Sequence, residues 1–244
     1  MLNADKTHVL VLTSSRQHSR YANYGIELNT GSNLIQPSTN EKLLGVNVSN
    51  DFTWNVHILQ MVRNLTVKNN GLKRVCWLLD FKSRKIIANG VINSQLIYCV
   101  QLYGAASDYL IKYLQVQQNR AARTVTRLAR DTNISVLLGQ VGWLSVKQLY
   151  VYHCLLLIFK KLSQQRVEYF SSKFSRRFPY ATRGAANNLF SMNRIPKTEI
   201  FKSSFFYNSI TLWNSLPMDI KNSTESSEFK RKLKKWTQDT IPLV

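Results

Sequence analysis

The sequence predicts an α+β fold that is mainly α: a small antiparallel β layer at the N-terminus followed by a helical bundle. Two patterns carry this. Up to about residue 50 the apolar residues fall in short β-rich runs; from Asp51 onward they recur at helical spacing. A third observation is compositional. With 44% hydrophobic residues, five Trp, eleven Tyr and eleven Phe, the chain can bury a core, which excludes a basic disordered tail despite a net charge of +20. The 244 residues accommodate one large domain or two small ones.

The expected strands are His8–Ser14, Tyr24–Leu28 and Lys42–Ser49, separated by polar segments, notably Asn29–Asn40, that are rich in Ser, Asn, Gly and Pro. A sheet this small is marginal alone, so it needs cover. Trp54–Leu79 reads as a long helix with Ile58, Met61, Val62 and Leu65 on one face, weakened near its middle by Gly71. Ser83 is expected to cap a helix through Val100 with Ile86, Ile87, Val91 and Ile97 inward. Ser107 is expected to cap the next helix. Ser145 with Gln148 three residues on fits a capping box, opening an all-round apolar and therefore buried helix through Leu162. Ser163–Lys202 lacks periodicity and reads as a long connection with aromatic anchors Tyr169, Phe170, Phe174 and Phe178. A short helix in Ser203–Pro217 should stop before Pro217. A last one, about Ser226–Gln238, carries the apolar stripe Phe229, Leu233, Trp236. The expected divisions are 1–50, 51–162 and 163–244.

Function is suggested first by charge. Between Phe52 and Val167 stand sixteen basic residues and three acids, Asp80, Asp108 and Asp131. A mixed-sign surface would intersperse both; this excess is the footprint of a nucleic-acid binder, with an anionic membrane surface as the rival partner. The helix Ser107–Arg130 focuses it. Leu110, Leu114, Ala121, Val125 and Leu128 make an apolar stripe, and Arg120, Arg123, Arg127 and Arg130 make a row away from that stripe. Guanidinium forks match phosphate oxygens, so the row is the leading phosphate-binding candidate. Lys73, Arg74, Lys82, Arg84 and Lys85, around a helix junction, are secondary candidates, with plain solubility as the alternative. The run Lys230–Lys235 could be a phosphate or nuclear-import patch, but the charged face of an amphipathic helix explains its spacing better.

Other chemistries find little support. Cys76, Cys99 and Cys154 form no C-x-x-C pair, and the four His form no zinc spacing, so no metal site and a reducing compartment are expected. The longest apolar run, Leu149–Phe159, is too short to span a bilayer, and MLNADKT has no apolar signal segment.

Five phrases follow one another along the chain: Asn3-Ala4-Asp5-Lys6-Thr7 with the strand after it; Lys42-Leu43-Leu44-Gly45-Val46 with Asp51–Ile58; Leu96–Gly104 with Gln115–Arg123; Gly142-Trp143-Leu144-Ser145-Val146; and Leu212-Trp213-Asn214-Ser215-Leu216-Pro217 with Phe229-Lys230. In this order they resemble the C-terminal part of a reverse transcriptase (RNA-directed DNA polymerase) from a non-LTR, LINE-like, jockey-type retrotransposon. The resemblance implies the end of a palm, a helical thumb and a C-terminal extension, that is, a fragment of the polymerase. It implies that Leu44, Gly45 and Val46 form a primer-grip-like element, that Lys6 is a palm remnant near the site of the incoming nucleotide, and that the arginine row contacts a primer–template backbone. In that family Mg²⁺ is held by paired palm aspartates. No Asp-Asp pair occurs in this chain, and two-metal phosphoryl transfer requires such carboxylates. The resemblance therefore predicts no catalytic residue, no metal and no cofactor here, and a chain without polymerase activity by itself. The expected partners are an RNA–DNA or RNA duplex and the remaining palm and fingers, with no small-molecule substrate and no transmembrane segment, in the nucleus or cytoplasm. The alternative is a non-enzymatic basic helical protein derived from a retroelement, binding nucleic acid or an anionic surface.

Overall fold

In the computed structural model the described residues are 6–14, 17, 28–29, 34–164, 174, 189–191 and 197–243. The chain is mainly helical with small strand pairs near the N-terminus. It divides into two compact units, Met1–Asn64 and Leu65–Val244.

Among the described residues the first unit holds six short strands: β1 (Val9–Leu10), β2 (Leu28–Asn29), β3 (Leu34–Ile35), β4 (Pro37–Ser38), β5 (Asn40–Leu43) and β6 (Val46–Ser49). They do not form the single antiparallel sheet that the sequence suggested. β1 pairs with β4 in parallel, while β2–β3 and β5–β6 are separate antiparallel ladders. The polar segment Asn29–Asn40, read as a separator, supplies β3 and β4, and Lys42–Ser49 is a hairpin instead of one strand. The reason lies at Leu44 and Gly45, whose φ angles of 48° and 83° place both in the left-handed region. Two such residues make the tight turn whose twist matches a hairpin. Ser49 Oγ donates to Asn40 Oδ1 at 2.6 Å and closes the open end of the ladder. Residues 24–27 of the expected second strand lie outside the described residues.

Helix α1 (Asn55–Val75) runs through Gly71 without a break and tightens into a 3₁₀ turn at Cys76–Leu78. Helix α2 (Phe81–Ala88) is capped by Asp80, not by Ser83: the Asp80 carboxylate accepts from the Ser83 backbone N–H at 3.0 Å. Hydrogen bonds from Ser83, side chain and then backbone, hold this carboxyl below its ordinary range. A π turn (Asn89–Asn93) joins α2 to α3 (Ser94–Ile97), and a break at Cys99 precedes α4 (Val100–Tyr103). The expected inward face is therefore wrong. Ile86 is 61% exposed and Ile87 and Val91 are also exposed, whereas Arg84, Ala88, Ile92 and Leu96 point inward. The wider π turn keeps this four-residue spacing on one side, which a 3.6-residue period would let drift.

Helices α5 (Asp108–Thr126), α6 (Ile134–Val141) and α7 (Val146–Gln164) form the centre of the second unit. Ser107 occupies the N-cap position of α5 without a side-chain hydrogen bond. Between α6 and α7, Gly142 (φ 68°) ends α6, and the Trp143 N–H donates to Leu138 O, a Schellman closure. The capping box is present: Ser145 N–H donates to Gln148 Oε1 at 3.0 Å, and Gln148 N–H to Ser145 Oγ at 3.3 Å. As expected, α7 is buried over most of its length, through Val151, Cys154, Leu155 and Ile158 among others. Helices α8 (Glu199–Lys202), α9 (Phe205–Ser215), α10 (Met218–Lys221) and α11 (Ser226–Thr240) complete the unit. Helix α9 stops before Pro217 as predicted. Phe159 of α7 stacks on Phe229 of α11 with centroids 3.9 Å apart, and Trp213 of α9 lies on the same cluster. Phe174 packs on Phe190 and Phe206; Tyr169, Phe170 and Phe178 lie outside the described residues.

Candidate nucleic-acid interface

The phrase Gln115–Arg123 builds three different faces of α5. Leu110, Leu114, Ala121 and Val125 are buried as the stripe predicted, whereas Leu128, the last member of the expected stripe, lies past the helix end, half-buried among the arginines. A second face is polar and also buried. Gln115 Oε1 accepts from the Val146 N–H at 2.9 Å, and Gln118 Nε2 donates to Leu144 O at 2.9 Å. Gln115 Nε2 in turn donates to Asn119 Oδ1 at 2.8 Å. The glutamines thus hold the segment Leu144–Val146, and Trp143 beside it donates from Nε1 to Asn89 at 2.7 Å. Two of the five phrases are linked in space by these bonds, which satisfy buried polar groups that would otherwise be costly.

The third face carries the arginines, but not as one helical row. Helix α5 ends at Thr126; Arg127 is its C-cap at φ 61°, and Arg130 lies in the turn that follows. Convergence comes instead from the chain's reversal and from α1. Lys73, Arg120, Arg123, Arg127 and Arg130 line one open concavity of about 580 Å³, together with Asn69, Trp77 and Thr124. Among the described residues no Asp or Glu pairs with any of these five cations. Five like charges sharing a concavity are mutually unfavourable without a counter-anion and make a focused positive potential.

Each cation has its own setting. Arg120 donates from Nη2 to Asn70 Oδ1 at 3.2 Å and from Nη1 to Gln117 Oε1 at 3.4 Å, which fixes the guanidinium without neutralising it. Arg123 is half-buried, and its Nε has no hydrogen-bond partner among the described residues. Arg130 is exposed. Arg127 is more committed than the sequence suggested: Nη2 donates to Cys76 O at 2.6 Å, and its guanidinium carbon sits 4.7 Å from the centroid of the Trp77 ring. Asn69 anchors α1 to α5 by donating from Nδ2 to Gln117 O at 3.1 Å.

The secondary candidates separate. Lys73 lines the concavity; Arg74, Lys82 and Lys85 do not. Arg84 is not a phosphate-binding residue. It is 6% exposed, and its Nε donates to Val125 O at 2.8 Å while Nη1 reaches Leu79 O at 2.8 Å and Cys76 O at 3.4 Å. Val125 lies in the last turn of α5, so a buried cation closes the negative end of that helix. In α11, Lys232 pairs with Asp219 at 2.7 Å and Glu228 at 3.0 Å, and Lys234 donates to Gly142 O, so part of the basic run is architectural.

In the first unit, Leu44 (83% exposed) and Gly45 form the exposed tip of the β5–β6 hairpin, Val46 is buried beneath it, and Lys6 is exposed. Among the described residues no group of three His, Cys, Asp or Glu could hold a metal ion. Burial pushes the Cys154 thiol up to about 12, which leaves it unreactive. No single described helix is long and apolar enough to cross a membrane. Sequence reasoning missed Trp77 and Asn69; the available signal was an aromatic three residues after the Lys73-Arg74 pair, just past the end of the helix. Comparison with family models, with curated proteins and with solved structures finds no match to this chain.

Proposed function

We propose that this chain grips the sugar–phosphate backbone of a nucleic-acid duplex, RNA–DNA or RNA, as the thumb and C-terminal extension of a non-LTR retrotransposon reverse transcriptase would. The observation that carries the reading is the convergence of Lys73, Arg120, Arg123, Arg127 and Arg130 on one concavity with no described acidic partner. The five phrases of the sequence add the family resemblance. A polymerase must pass every sequence, and phosphate contacts position a duplex without reading bases. On the same reading the exposed Leu44–Gly45 turn is where a primer end would be met, with the metal-holding part of the palm lying outside these 244 residues. The chain supplies binding and no chemical step.

Four of the five cations, Lys73, Arg120, Arg123 and Arg130, are not tied to a carbonyl and an aromatic ring as Arg127 is. If all four meet phosphates, log K should fall with log salt with a slope of about −3 to −4. The test is a salt titration against two duplexes of unrelated sequence. Equal affinities with that slope support the reading; a strong preference for one sequence, or a slope near zero, refutes it.

A further inference from the structure

A duplex grip made of phosphate contacts needs no aromatic ring, yet the concavity contains one. Trp77 is 75% exposed, whereas Trp143 and Trp213 are buried. Its place in the 3₁₀ turn is fixed from behind. The Arg127 guanidinium lies 4.7 Å from the ring centroid, and the same guanidinium is clamped to the carbonyl of Cys76, the residue before Trp77. Arg84 donates to that carbonyl as well. The ring is thus held at the wall of the concavity, among cations, with most of its surface open to solvent.

Keeping an indole out of the core forgoes a large burial energy. A ring so placed suits a flat π partner flanked by negative charge. A nucleobase is that partner, and base stacking on an aromatic side chain is tolerant of base identity, as a sequence-independent grip requires. We infer that Trp77 is a stacking platform for an unpaired nucleobase. The concavity then takes the single-stranded end of a duplex, with the flanking phosphates on Lys73, Arg120, Arg123 and Arg130. Arg127 is a positioning residue that backs the ring. This inference rests on the phosphate-binding reading for the anchoring of the strand.

The experiment uses the full chain and three ligands: a blunt duplex, the same duplex with a short single-stranded overhang, and that duplex with an abasic overhang. Affinity is read by fluorescence anisotropy across a salt series. The wild type should bind the overhang about tenfold more tightly than the blunt duplex, and the abasic overhang should lose that gain. Trp77→Ala should abolish the preference, Trp77→Phe should keep most of it, and both should leave the salt slope unchanged. If Trp77→Ala lowers the melting temperature, Trp77→Leu, which keeps apolar volume without a π face, replaces it. An overhang preference that survives loss of the ring, or a wild type without one, overturns the inference while a steep salt slope leaves the phosphate grip standing. An overhang preference with a flat salt slope would have the opposite meaning: the ring stacks and the phosphate reading falls.

Discussion

Replacing Arg84 with methionine separates architecture from binding among the basic residues. The side chain is buried and donates three hydrogen bonds, to Val125 O, Leu79 O and Cys76 O. Bonds from a charged donor contribute about 1.5–3 kcal/mol each. They share one guanidinium and are not additive, and the bond to Cys76 is long at 3.4 Å. Methionine also keeps the apolar stem and removes the desolvation cost of a buried cation. The expected net loss is about 3 kcal/mol, a fall in melting temperature of roughly 6–12 °C for a unit of this size. Thermal unfolding followed by circular dichroism at the helix band measures it, with Arg74→Met, an exposed neighbour, as the control. A melting temperature within about 1 °C of wild type would refute the assignment of Arg84 as the closure of α5.

Three further outcomes are expected. A Cβ at Gly104 would lie 2.6 Å from Cβ and Cγ of Tyr150, and closer still to Cδ2, with the ring already buried; Gly104→Ala should cost at least about 1–3 kcal/mol in a urea titration, and a neutral result would show that the site relaxes. Burial holds the His57 imidazole below its ordinary value, and burial together with the charge of Lys160 does the same for His153. Each therefore takes up a proton on unfolding, so stability is complete above about pH 6.5 and falls as pH drops towards the folded values; urea midpoints at pH 7.5 and 5 should show the loss, and a His57→Asn, His153→Gln variant should show less of it. In primer extension with Mg²⁺ or Mn²⁺ the chain alone should incorporate nothing above a mock-purified control, since it carries no paired carboxylates.

The structure was legible where local chemistry decides. The Ser145–Gln148 box, the stop before Pro217 and the Phe229–Leu233 stripe are each fixed by residues within a few positions. It was illegible where distant partners decide. Gln115 and Gln118 look like a solvated face until Leu144 and Val146 arrive to receive them. Ile86 and Ile87 look like core until Arg84 takes the inward position to reach three carbonyls. The residues of the arginine row were identifiable from spacing, but the geometry was not. The helix ends within the row, and the concavity needs Lys73 from another helix and the turn after Thr126. The pairing within the β layer was illegible for a similar reason: in strands of two to four residues it depends on turn geometry, such as Leu44–Gly45, more than on β propensity.

The central claim is that the concavity, and not the overall charge of +20, binds phosphates. The most direct measurement compares two triple variants, each three charges below wild type, by salt titration against one duplex. Arg120→Gln, Arg123→Gln, Arg130→Gln removes cations from the concavity; Lys230→Gln, Arg231→Gln, Lys235→Gln removes exposed cations from α11. The account predicts that the first flattens the salt slope by up to about 2.7 and the second leaves it at the wild-type value. Equal flattening by both, or none by the first, would contradict it.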